Sequence, residues 1–393
     1  MKNNRTFLEK LLDGAEVEWK PLKDILIRTK GTKITAAEMK VLHKDNAPLK
    51  IFAGGKTFAL VNFEDIPEKD INKNPSIIVK SRGIIEFEYY DKPFSHKNEM
   101  WSYYSNDKNI NIKYIYYVLK NQEPYFQNLG SKMQMPQIAT PDTDKYLVPI
   151  PPLPVQTKIV KILDALTALT SELTSELILR RKQYEYYREK LLSEEELGKV
   201  GFEWKTIDEI SKKISSGGTP TTSNNGYYDN GTIPWLRTQE VDFKEIWDTN
   251  IKITEDGLNN SSAKWIPANC VIVAMYGATV GKTAINKIRL TTNQACANIE
   301  INDKLACYRY IFHYLTSKYE YIKSLGSGSQ TNINAQIIKK LKVPVPPIEE
   351  QQRIVSILDK FEALTNSITE GLPLAIEQSQ KRYEYYRELL LSF

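Results

Sequence analysis

The chain has 393 residues, 41% of them hydrophobic and 26% charged, which suits a soluble protein of about two ordinary domains. No stretch approaches the roughly 20 apolar residues of a membrane helix, and no apolar run of the signal-peptide kind follows Met1 to Arg5. The three cysteines, Cys270, Cys296 and Cys307, lack Cys-x-x-Cys spacing and with three histidines make no metal pattern, so a reduced, cytoplasmic protein is expected. The net charge of +5 is uneven: residues 201–345 hold 17 Lys/Arg against 13 Asp/Glu, and residues 21–150 hold 19 against 15. Two mildly basic heads on a near-neutral spacer suit a polyanion partner.

In chain order, Glu9-Lys10-Leu11-Leu12 reads as a helix end, and Glu18-Trp19-Lys20 opens a first globular unit. Its central strand is Ser76 to Lys80, followed by the turn Ser81-Arg82-Gly83. A helix begins at Ile112 to Leu119, and Leu129 to Gln134 corresponds to Leu325 to Gln330 of the second unit. Pro141 to Lys145 has nuclease-like letters, but its carboxylates are too close together, and a turn is expected. Val148-Pro149-Ile150-Pro151-Pro152 cannot be helical, because the residue before a proline is pushed out of that region. From Gln156 the apolar spacing turns helical: Ile159, Ile162, Leu166, Leu169, Leu173 and Leu177 continue to Tyr184 and Leu191. A run of about 40 residues would span about 60 Å.

The text then repeats. Glu203-Trp204-Lys205 opens a second unit, with a loop at Ser216-Gly217-Gly218-Thr219-Pro220 and a turn around Tyr227 to Gly231. Ile233-Pro234-Trp235 follows, then Trp265-Ile266-Pro267. Strands are expected at Val271 to Met275, Ile285 to Leu290 and Ala297 to Ile301, and a tyrosine-rich helix from about Tyr308 to Leu325. Trp235 and Trp265 read as core rather than stacking platforms. Gly277 to Thr283 imitates a phosphate loop, but only Ala278, Thr279 and Val280 separate Gly277 from Gly281, where the Walker pattern needs four residues. A strand-to-strand turn fits better.

Val343-Pro344-Val345-Pro346-Pro347 and Gln351 restate the first proline segment, and Ile354, Ile357, Phe361, Leu364, Ile368, Leu372, Ile376, Tyr383 and Leu390 restate the stripe. Both copies end on one aromatic tag, Tyr184 to Glu189 and Tyr383 to Glu388. These heptad-like seams are those of long helices packed on each other. The second copy carries four extra residues around Gly371-Leu372-Pro373, where a kink or fresh helix start is expected. The resulting division is a first head at 1–148, a proline segment and helix at 149–195, a second head at 196–342 and a second proline segment and helix at 343–393. The fold class is α+β: two mixed α/β heads separated by two long antiparallel coiled-coil helices, with an internal pseudo-twofold repeat.

These texts together resemble the specificity subunit of type I restriction–modification systems. The duplicated Pro-Pro…Gln…Leu-Asp and tyrosine texts are similar to that family's two conserved regions. Ser216 to Pro220, Ile233 to Trp235, and Gly281-Lys282 with Asn293 to Cys296 are similar to its target-recognition domain; the first head lacks the Gly-Gly-Thr-Pro form. The resemblance implies double-stranded DNA as partner, each head reading half of a bipartite site. It implies helices that fix the spacing and dock two modification subunits, with restriction subunits in the full complex. No Asn-Pro-Pro-Tyr text, cofactor loop or helicase acid–lysine pair is present, so no cofactor and no catalysis are expected of this chain.

Side-chain chemistry then nominates contacts. Arg237, Gln239, Gln294, Gln330 and Asn332 can offer paired hydrogen bonds to base edges. Lys264, Lys282 and Thr219 accompany them as phosphate or single contacts. In the first head Lys80, Arg82, Lys132, Gln134 and Gln137 take those parts. Ile159, Leu166, Leu173, Tyr184 and Tyr187, with Ile354, Phe361, Ile368, Tyr383 and Tyr386, are nominated for helix pairing or partner docking. Two alternatives remain open on the sequence: a recognition half working with an orphan partner, and a coiled-coil adaptor whose heads bind protein.

Overall fold

A computed structural model of the chain describes residues 7–131, 135–326, 332–367 and 369–393. Of the nominated residues, Lys132, Gln134, Gln330 and Ile368 lie outside the described residues. Two compact units form. One holds residues 1–173 with 375–393, the other residues 174–374. The sequence boundaries fall between head and helix; the compact units instead cut across the helical segments. Each unit keeps the start of the helix that follows its head and takes the end of the other one.

Each unit begins on the same local device. The strand Glu18–Pro21 pairs antiparallel with Leu147–Ile150, placing Trp19 opposite Pro149. The strand Glu203–Thr206 pairs likewise with Lys342–Val345, placing Trp204 opposite Pro344. A proline donates nothing to a ladder, so it suits these two-stranded sheets, which have only edges. The next residues are locked by one buried glutamine per unit. Gln156 donates to the Pro151 carbonyl at 2.8 Å and accepts from the Asn111 N–H at 2.9 Å. Gln351 donates to the Pro346 carbonyl at 2.8 Å and accepts from the Cys307 N–H at 2.8 Å. The repeated glutamine thus ties the helix start to the loop before each head's own helix.

The first head stacks a four-stranded sheet, in the order Ile27–Thr29, Trp101–Tyr104, Ser76–Lys80, Glu86–Tyr90, beside a three-stranded one of Phe58–Val61, Leu49–Phe52 and Phe94–His96. The second has five strands, Ser211–Ser216, Cys296–Ile301, Val271–Ala274, Thr283–Asn286 and Lys244–Ile246. Beside them stand four, Lys252–Ile253, Ile233–Leu236, Leu290–Thr292 and Trp265–Ile266. The helices Ile112–Asn121 and Tyr308–Ser317 fill the corresponding cores through Tyr114 and Tyr310, each fully buried. Their hydroxyls donate to the carbonyls of Pro149 at 3.0 Å and Pro344 at 2.9 Å.

Three expected elements differ in extent. The tyrosine-rich helix is two, Tyr308–Ser317 and Tyr319–Ser324, with Lys318 between them. The strand expected from Ile285 to Leu290 is split into Thr283–Asn286 and Leu290–Thr292. The first long helix, Leu153–Leu191, is continuous over 39 residues, whereas its repeat is Ile348–Asn366 followed by Gly371–Leu390. Gly371 makes that break possible. Its φ is +79°, and a Cβ there would lie 2.5 Å from the Ala363 carbonyl oxygen.

Within each unit the helical pieces run antiparallel. In the second, Tyr187 stacks on Phe361 at 5.6 Å, Tyr184 lies 6.3 Å from the same ring, and Arg181 reaches the Thr365 carbonyl at 3.4 Å. In the first, Tyr383, Tyr386 and buried Leu390 join Ile159 and Leu163 in one core. Leu166 and Leu173 are half-buried, and Leu169, placed on the seam by its spacing, is 39% exposed. At that level the seam is polar: the Thr170 and Ser379 hydroxyls meet at 2.8 Å. Among the described residues no helix is long and apolar enough to cross a membrane.

Candidate nucleic-acid interface

In the second head, loops that are distant in sequence gather beyond the ends of three strands. The Gly218 N–H donates to the Thr292 carbonyl at 2.9 Å, and the Asn293 N–H donates to that of Leu236 at 2.9 Å. Met275 donates to Ala295 at 2.8 Å and accepts from the Ile333 N–H at 3.0 Å. The Thr279 hydroxyl donates to the Thr238 carbonyl at 2.8 Å. One rim therefore carries Thr219, Arg237, Gln239, Gln294 and Asn332. The glycines of Ser216 to Pro220 allow this closeness. A Cβ on Gly217 would lie 1.8 Å from the Thr292 carbonyl oxygen, and one on Gly218 would lie 2.4 Å from the Ser262 carbonyl carbon.

The nominated side chains differ in readiness. Gln239, Gln294 and Lys264 are exposed, while Arg237 and Asn332 are half-buried. The Thr219 hydroxyl donates to Gln294 Oε1. The Arg237 Nε is buried without a hydrogen-bond partner among the described residues. Lys282 is held differently, with its ammonium 2.6 Å from Asp242 and over the Phe243 ring. It belongs to an ion pair at the turn rather than to a free cationic tip. Trp235 is core, as its sequence context suggests, with its ring N–H donating to the Gly218 carbonyl at 2.9 Å. Trp265 is half-buried beneath the Arg289 guanidinium, 4.4 Å from the ring centroid. Tyr276, 40% exposed on the same rim, was not nominated; its signal is its place one residue beyond the buried run Val271 to Met275.

The first head builds the corresponding rim from different letters. Thr32 N–H donates to the His96 carbonyl at 2.8 Å, Lys97 N–H to that of Phe52 at 2.9 Å, and Ile138 N–H to that of Ser81 at 3.0 Å. These repeat the Gly218–Thr292, Asn293–Leu236 and Ile333–Met275 bonds. The strand registers agree, since Trp101 opposes Val79 as Ala297 opposes Val273. Arg82 and Gln137 are brought together by a β-bridge, with Arg82 exposed. Lys80 is a correction. It is 6% exposed, with its ammonium 2.6 Å from Glu86 and 2.8 Å from Glu88. Burial alone would lower its pKa, but the two carboxylates more than offset that and hold it raised. Lys80 is thus a charged group satisfied inside the sheet, at the position of wholly buried Ala274 in the second head.

A second charged cluster escaped the sequence reading. Arg309 donates to Asp359 at 2.8 Å and Glu362 at 3.1 Å and also contacts Glu245, while His313 Nε2 lies 2.7 Å from Asp359. His313, Asp359 and Glu362 gather ligand-type atoms within 4.8 Å, but the Arg309 guanidinium already supplies the cation there. Burial tends to raise the Asp359 pKa; the His313 and Arg309 hydrogen bonds outweigh it and leave the group lowered. Lys113 and Tyr117 hold Asp164 the same way in the first unit, at 2.7 and 2.5 Å. The repeated Leu-Asp text therefore clamps each head's helix to the helix that follows it.

Comparison with known proteins agrees with this duplicated plan. The family model described as "Type I restriction modification DNA specificity domain" matches residues 15–180 and again 199–378. The chain is 38% identical over 99% of its length, and 97% of the relative's, to the type I restriction enzyme EcoR124I/EcoR124II specificity subunit of Escherichia coli. It is 36% identical, over the whole of both chains, to a putative type I restriction enzyme specificity subunit of Haemophilus influenzae. The fold resembles the crystal structure of a type I restriction–modification system S subunit from M. genitalium. That match has a TM-score of 0.62 and 16% identity, covering 96% of this chain and 97% of the other. With both of its heads matched and its whole length aligned, the chain belongs to the type I restriction–modification DNA specificity family.

Proposed function

We propose that the chain is the non-catalytic, DNA-reading subunit of a type I restriction–modification complex in the cytoplasm, and that each head reads one half of a bipartite double-stranded site. The observation that carries this reading is the duplicated rim: one backbone frame, built twice, bearing different side chains. One frame with two sets of letters suits two half-sites of different sequence. On this reading the antiparallel helices set the half-site distance. They also dock two modification subunits, with restriction subunits joining in the full complex. Half-exposed tyrosines support a docking role for the tags, since Tyr186 is 56%, Tyr187 40% and Tyr385 62% exposed.

The test replaces Arg237 and Gln294 by alanine in the full chain and selects DNA sites with its modification subunit. Each lost paired base contact should cost about 1–3 kcal/mol. Positions in one half-site should relax, and the other half should keep its preference. Relaxation spread over both halves would sink the assignment. A protein-binding adaptor is separated by salt: DNA affinity should fall with a log–log slope of about −0.9 per contacted phosphate.

A further inference from the structure

The correspondence between the two rims assigns a reading position in the first head that its sequence conceals. We infer that the first head reads its half-site through Asn98, with Lys33 beside it on the phosphate backbone; this rests on the proposed DNA-reading function. The argument is one of register. Gly31 stands where Gly217 stands: a Cβ on it would lie 2.3 Å from the His96 carbonyl oxygen, as one on Gly217 would lie 1.8 Å from that of Thr292. The strands carrying those two carbonyls pair parallel in the same register, His96 beside Phe52 and Thr292 beside Leu236. Counting outward from His96 and Thr292, Lys97 matches Asn293 and Asn98 matches Gln294. Counting from Gly31 and Gly217, Lys33 matches Thr219. Further along, the Ser81 hydroxyl donates to the Glu99 carbonyl at 2.6 Å, as the Met275 N–H donates to that of Ala295, so the frame stays in step.

The chemistry at the matched places is complementary rather than identical. Asn98 and Gln294 are both exposed primary amides, a group that can bond an adenine edge through two hydrogen bonds. The cation has changed sides. The second rim has Arg237 where the first has Ala53, and the first has exposed Lys33 where the second has Thr219. Across these three matched pairs each rim keeps one amide and one cation. Lys97, nearer the strand, is 2.8 Å from Glu99 and is not free. Asn98 and Lys33 make no hydrogen bond or ion pair among the described residues. Asn98 also lines, with Lys30 and Gly31, an open cavity of about 610 Å³ beside the rim.

The experiment uses the full chain with its modification subunit, selecting from a randomised DNA pool and measuring affinity against salt. Asn98→Ala should reduce discrimination at one or two adjoining positions of a single half-site by roughly five- to a hundred-fold. That half-site should be the one left intact by the Gln294→Ala variant. Lys33→Ala should weaken binding evenly across sequences and make the salt slope shallower by about 1. Unchanged selectivity of Asn98→Ala, or relaxation in the half-site that Gln294→Ala alters, overturns the assignment. An unchanged salt slope in Lys33→Ala removes Lys33 from it. Both side chains are exposed, so folding is not at stake, and a wild-type chain without sequence preference would instead overturn the DNA-reading function itself.

Discussion

At the scale of single residues, the sharpest demands fall on buried side chains that satisfy backbone groups. Gln351 is fully buried and serves the Cys307 N–H and the Pro346 carbonyl at once. Gln351→Ala orphans both, and each buried unsatisfied group costs about 1–3 kcal/mol. A lowered denaturant midpoint with an unchanged slope is expected, and a variant as stable as wild type would contradict the bridging role. The cysteines give a chemical test. Burial pushes the Cys270 and Cys296 thiols up to about 12, so almost none of either is thiolate near pH 8. Only the thiolate attacks an alkylating reagent. Native labelling at pH 8 should spare both and reach Cys307 at most, as peptide mass mapping will read; modification of Cys270 or Cys296 in the folded chain would contradict their burial.

At the scale of elements, the helices carry a division of labour that neither head explains alone. The continuous helix Leu153–Leu191 begins in the core of the first unit and ends in that of the second, where Leu191 and Leu192 are buried. Its repeat breaks at Gly371 and then returns Leu390 and Leu391 to the first core. If these helices set the half-site distance, a four-residue insertion after Leu173 should lengthen one by about 6 Å while roughly keeping the seam. Methylation mapping should then show a longer spacer with both half-site sequences unchanged. The same spacer with full activity would show that the distance is set elsewhere.

At the scale of the molecule, the duplication has a consequence for assembly. The same proline device, glutamine bridge and aspartate clamp recur in both units, so on the proposed reading each unit would offer its partner a similar docking face. Similar faces bind copies of the same subunit, so two modification subunits per chain are expected at saturation. Light scattering on the purified complex will count them. A stable assembly with a single copy at excess partner would show that the likeness stops at the backbone.

The chain's text by itself determined the repeat, the two long helical segments, the extended proline pieces and the break at Gly371, because each depends on local rules. Proline restricts its neighbour, apolar spacing sets a helix face, and only glycine takes the backbone needed at the break without strain. The rim residues were legible where a motif marks them, as at Thr219 and Gln294. Tertiary structure decided the rest. Lys80 has the composition of a DNA-binding lysine, but its strand runs through the middle of a sheet between Glu86, Glu88 and the core. Asn98 and Lys33 sit in unremarked text and acquire meaning only because parallel pairing of Phe52 with His96 brings their loops to the rim. The compact units, too, depend on helices exchanged between repeats nearly 200 residues apart in sequence. Such long-range pairings depend on which faces meet in the folded chain, and no local propensity encodes them.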